Sequence, residues 1–134
     1  MDYRHISVNH VDGVTVVRFL DLVRAVQCKE AIHEIGEKLK GLIDQMKPCS
    51  LVLDFENKEF APNKVFDSQL IGLHLKLTRR SGAFRLCNVP ALLIEHYRIT
   101  RLAEIFSRYN SLEDALAACT DSKPMRSDIN KDDR

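Results

Sequence analysis

The chain has 134 residues, 45% hydrophobic and 29% charged, which suits one globular domain with its own core and excludes a disordered or fibrous protein. Twenty Lys and Arg against 19 Asp and Glu leave a net charge of +1, so no global field steers it to nucleic acid or to an anionic membrane. The polar start, Met1 to His10, and the lack of a long apolar run argue against a signal-peptide core or membrane insertion, and the expectation is a cytoplasmic protein.

Ile6 to Val11 and Gly13 to Leu20 are β-branched runs separated by Asp12-Gly13, a hairpin signal. From Cys28 to Met46 apolar residues recur at steps of three and four, which predicts an amphipathic helix closed by Lys47-Pro48. Ser50 to Phe55 is a nearly continuous apolar run, read as a buried parallel strand ending at Asp54. A polar loop, Glu56 to Lys64, contains Pro62-Asn63, and Asp67-Ser68 then opens a helix with Ser68 as its N-cap. That helix ends near Arg79-Arg80 and Gly82, where cations and a glycine belong.

Ala83 to Val89 reads as another strand, and Pro90 starts a short helix through Tyr97. Leu102 to Tyr109 supplies a last strand, and Ser111 caps a closing helix with Asp114 at the capping-box position. This order implies an α/β fold, a mixed sheet of about five strands with about four helices against it. The expected domain is 1–118, with 119–134 a charged flexible tail.

Chemistry-bearing residues are scattered. Cys28, Cys49, Cys87 and Cys119 form no C-x-x-C pair and read as packing thiols. His5, His10, His33, His74 and His96 show no metalloprotease spacing, and no nucleophile elbow, P-loop or dinucleotide fingerprint is present. Neither metal nor cofactor is expected, and the chain does not read as an enzyme. Lys76, Arg79, Arg80 and Arg85 concentrate positive charge, read here as a solvated helix C-terminus. Asp67-Ser68 ahead of an apolar helix is the most informative local feature, although Ser and Asp are also ordinary capping residues.

In its ordered elements, over roughly Val8 to Ala118, the chain resembles the STAS domain family, the fold of bacterial anti-sigma-factor antagonists. The likeness is carried by VDGVTVVRF, the long amphipathic helix, LVLDF, DSQLIG, FRLCNV, ITRLAEIF and SLEDAL. It implies that Ser68 is the phosphoacceptor of a partner serine kinase that is also the anti-sigma factor, and that a phosphatase resets the switch. It also implies a partner-binding region of Asp54, Asn57, Asp67, Ser68, Gln69 and Gly72, with the Asn57 to Lys64 loop shaping its rim. A phosphate at a helix start would be held by backbone N–H groups. Gln69 and Leu70 stand where the family has a second Ser and a Gly, the Glu56 to Phe66 loop is longer than the family norm, and Gly72 matches a family glycine. Two alternatives stay open: a scaffold that binds partners without phosphorylation, and a small-ligand or nucleotide sensor using the crevice beyond the strand ends.

Overall fold

Asp12 and Gly13 carry positive φ angles of 51° and 81°, the backbone that a two-residue hairpin turn demands. They join β1 (Ile6–Val11) to β2 (Val14–Phe19) in antiparallel register, with Val11 opposite Val14 and Ile6 opposite Phe19. The structure is a computed structural model and describes residues 5–20, 29–45, 50–58 and 62–120. β3 (Ser50–Asp54), β4 (Ala83–Cys87) and β5 (Ser107–Tyr109) follow in parallel, so the sheet runs β1-β2-β3-β4-β5.

The parallel strands are joined through α1 (Lys29–Gln45), α2 (Lys64–Arg79) and α3 (Ala91–Ile99). All three pack on one face, as successive right-handed crossovers moving along a sheet in one direction do. Ile32, Ile35, Leu39 and Ile43 of α1, Leu70, Leu73 and Leu77 of α2, and Leu93 and Tyr97 of α3 share a core with Val17, Leu51, Leu53 and Leu86 of the sheet. The opposite face is covered by α4 (Leu112–Thr120), whose Ala115 packs on Val14, Val16, Val52 and Cys87. The expected fold class is therefore the observed one.

Several boundaries differ from expectation. α2 begins at Lys64 with Asn63 as its N-cap, so Ser68 lies in the second turn. The Asn63 carboxamide accepts from Val65 and Phe66 N–H at 2.8 and 3.1 Å, and Phe66 packs against Phe19 and Phe55 at centroid distances of 5.8 and 6.3 Å. Burial of Phe66 thus draws a further turn of chain into the helix, and Asn63 takes the capping role expected of Ser68. At the other end Ser81, with φ of 57°, takes the left-handed position, and Gly82 N–H reaches back to the Leu77 carbonyl at 2.7 Å.

α3 continues to Ile99 and stops where Arg101 adopts a φ of 69°. Residues Leu102–Glu104 form a 3₁₀ turn, which confines the last strand to Ser107–Tyr109. α4 runs two residues beyond 118, its start capped by Ser111 Oγ accepting from Asp114 N–H at 3.1 Å. Residues 121–134, Cys28, Cys49 and Lys47-Pro48 lie outside the described residues. Cys87 is fully buried and Cys119 half-buried, and burial holds both thiols above their ordinary value.

Candidate functional site

The C-terminal end of β3 and the start of α2 bring the candidate residues to one end of the sheet. Asp54 closes β3 and is only 3% exposed. Its Oδ1 accepts from Glu56 N–H at 2.9 Å and Asn88 Nδ2 at 3.0 Å, and its Oδ2 from Arg18 Nε at 3.1 Å. One carboxylate thus ties β2, the loop after β3 and the end of β4 together, and its contribution to any rim is to hold the loop.

The loop leaves β3 as a tight turn. Glu56 and Asn57 have φ of 55° and 59°, and Lys58 N–H closes the turn on the Phe55 carbonyl at 3.0 Å. Asn57 N–H donates to the Asn88 carbonyl at 2.7 Å, which leaves the Asn57 side chain exposed at the tip. Lys58 Nζ reaches both the Phe19 carbonyl, at 2.6 Å, and Glu56, at 3.1 Å. The turn is therefore pinned to β2 and β4 before the chain enters α2.

In α2 the expected site residues part company. Asp67 is 8% exposed and faces α3, where His96 Nε2 donates to its Oδ2 at 2.6 Å. Its Oδ1 and the neighbouring Tyr97 hydroxyl are buried with no hydrogen-bond partner among the described residues. Burial, and after it the Asp67 carboxylate, push the Tyr97 phenol well above its ordinary value and keep it neutral. Asp67 therefore joins α2 to α3 and is not presented outward.

Ser68 is exposed, and its Oγ donates to the Lys64 carbonyl at 3.1 Å. Gln69 turns toward α1: a Cβ built on Gly36 would lie 2.0 Å from Gln69 Oε1, so this long side chain fits because α1 carries a glycine there. Leu70 is buried in the core. The two departures from the family turn are thus directed inward and leave the outer surface of α2 to Lys64, Ser68, Ile71, Gly72, Leu75 and Arg79, which helical spacing places together. Leu75 is 48% exposed on that face.

Arg18 and Asn88 were not singled out in the sequence, Asn63 was read as part of the loop, and His96 only as one of five histidines without metal spacing. A signal existed for Asn63, a capping residue just after a proline. The others are joined to the site only by contacts 29 or more residues apart in sequence. Among the described residues no group of three His, Cys, Asp or Glu side chains is placed to hold a metal ion, and no helix is long and apolar enough to cross a membrane.

No family model and no curated protein matches the amino-acid sequence. Solved structures do match. An anti-sigma-factor antagonist (STAS) domain protein from Planctomyces limnophilus aligns with a TM-score of 0.73 at 23% identity, covering 87% of this chain and 98% of its own. An anti-sigma factor antagonist from Mycobacterium paratuberculosis aligns at 0.68 and 26% identity, covering 87% and 93%. The anti-sigma factor antagonist SpoIIAA, in its unphosphorylated form, aligns at 0.68 and 17% identity, covering 84% and 94%. The chain has the STAS fold over most of its length, as the resemblance in the sequence implied.

Proposed function

We propose that this chain is a regulatory protein of the anti-sigma-factor antagonist type, switched at Ser68. Unphosphorylated, it binds a serine kinase that is also an anti-sigma factor and so frees the client; phosphorylation releases it, and a phosphatase restores it. It works in the cytoplasm through protein contacts, with no catalysis, cofactor, direct nucleic-acid contact or membrane insertion of its own. The observation that carries this reading is an exposed serine hydroxyl on the same outer face of α2 as the exposed Leu75, in the fold shared by solved antagonists.

The physical effect of the switch is large. Ser68 lies seven residues, two helical turns, before the exposed Leu75, so a partner covering that apolar group and the turn before it also covers the serine hydroxyl. Phosphorylation replaces the O–H with a group of about −1.5 to −2 charges at neutral pH. Burying that charge in an apolar interface without a partner costs several kcal/mol, on the order of a hundredfold or more in affinity. The charge alone is enough to release a partner, with no refolding of the domain.

The test is quantitative affinity capture from cells of the source organism, with bait carrying serine or phosphoserine at position 68. One serine kinase recovered with the serine form and at least tenfold depleted with the phosphoserine form is expected. Equal recovery overturns the switch.

A second reading, a partner-binding scaffold independent of phosphorylation, draws on the place of Ser68 inside a regular helix with its hydroxyl engaged by the Lys64 carbonyl. On that reading Ser68→Asp leaves partner affinity nearly unchanged. A small-ligand or nucleotide sensor has less support, because the crevice it invokes forms where strand order reverses, and this sheet runs in sequence order.

A further inference from the structure

The first-turn N–H groups of α2 are already engaged: Val65 and Phe66 donate to the Asn63 carboxamide, and Asp67 to the Asn63 carbonyl at 2.9 Å. Ser68 lies beyond them, so a phosphate there is not held in the backbone cradle expected of a helix start. Other groups stand closer. Lys64 is exposed four residues earlier on the same face, a spacing that puts the two Cβ atoms about 5–6 Å apart. The Ser68 hydroxyl is already turned back toward the Lys64 carbonyl.

A second cation approaches from α1. Gly36 faces Gln69, Lys40 faces Gly72 and Asp44 pairs with Lys76 at 2.8 Å, so α1 and α2 run side by side in parallel. Lys40 Cε lies 3.8 Å from where a Cβ on Gly72 would stand, and Gly72 follows Ser68 by four residues. The stem of Lys40 therefore lies across the bare backbone of α2 next to the serine. Among the described residues its ammonium pairs with Glu37 by an exposed contact at 3.5 Å, a weak and solvated pair that is readily exchanged for a stronger one.

We propose that Lys64 and Lys40 form a two-lysine seat for a phosphate on Ser68, with Gly72 as the gap through which Lys40 reaches it. This rests on the reading of Ser68 as phosphoacceptor. Phosphorylation removes the O–H that Ser68 donates to Lys64, so the substituted oxygen no longer bonds that carbonyl and the phosphate turns outward between the two ammonium groups. There it neutralises two cations of the exposed surface and ties α1 to α2. The opposing charges nearby are Asp67, paired with His96, and Glu37, which gives up Lys40.

The test uses the full chain with phosphoserine installed at position 68 during synthesis, which makes it independent of whether cells modify that residue. The second ionisation of the phosphate is followed by phosphorus NMR in this protein, in its Lys64→Gln, Lys40→Gln and double variants, and in a phosphopeptide of residues 65–76. Each lysine is expected to lower the midpoint by about a third of a pH unit, the size of an exposed ion pair, with the double variant returning to the peptide value. Thermal melts of the unphosphorylated variants, expected unchanged, establish that the fold is kept. Midpoints that are the same with and without the lysines overturn the seat while leaving the phosphoacceptor reading standing; absence of phosphate on Ser68 in cells overturns that reading instead.

Discussion

Replacing Asp54 with alanine removes a 3%-exposed carboxylate that accepts three hydrogen bonds from three segments of chain. The Arg18 guanidinium, the Glu56 N–H and the Asn88 amide all lose their acceptor. Breaking a buried ion pair costs about 3–5 kcal/mol, and each hydrogen bond to a charged group about 1.5–3. Arg18 is 31% exposed and Glu56 is at the surface, so water recovers part of both losses. The net cost of Asp54→Ala is therefore about 3 kcal/mol, a fall in Tm of about 10 °C for a domain of this size. Urea unfolding of Asp54→Ala beside Asp54→Asn is the assay, with the isosteric amide expected to cost about half as much because it still accepts a hydrogen bond. A loss below 1 kcal/mol for Asp54→Ala refutes the structural role and returns Asp54 to the list of surfaces a partner touches.

Gly36→Ala should stabilise the protein by up to about 1 kcal/mol, since it meets only the flexible end of Gln69, whose Oε1 is buried with no hydrogen-bond partner among the described residues and can swing aside, leaving the helix-propensity gain. The same change made beside Gln69→Ser should stabilise by a similar amount, and equilibrium unfolding of the double-mutant cycle reads the small coupling directly. Asn63→Ala is expected to cost about 1 kcal/mol and to speed hydrogen exchange at Val65 and Phe66, whose N–H groups the carboxamide holds. Burial lowers His74 from its ordinary value of 6.5. A histidine so shifted binds fewer protons folded than unfolded, so its contribution is intact above that value and declines as pH falls below it. Stability of the native protein should fall more steeply between pH 7 and 5 than that of His74→Gln, as urea midpoints across the range would show.

Elements whose cause is local were legible in the sequence. Asp12-Gly13 fixes a hairpin by backbone preference alone, LVLDF is a buried strand by its composition, and Ser111 caps α4 with a side chain three residues from its donor. The start of α2 was misplaced because the chain offers two capping residues, Asn63 and Ser68. The choice between them is made by Phe66 packing on Phe19 and Phe55, a tertiary contact with no local trace. The placement of the candidate residues was legible to a similar degree. Asp54, Asn57, Asp67, Ser68, Gln69 and Gly72 do lie where β3 passes into α2, but sequence order does not say which way each side chain turns. Asp67 and Gln69 turn inward because His96 and Gly36 lie on the helices that flank α2.

The most direct test of a switch at Ser68 is phosphorylation mapping by mass spectrometry on protein purified from its own cells across growth conditions. Cleavage after Lys64 and Lys76 releases VFDSQLIGLHLK, in which Ser68 is the one hydroxyl-bearing residue, so a phosphate on that peptide is a phosphate on Ser68. A modified fraction that changes with condition is the expected result. The peptide well detected and unmodified in every condition would contradict it.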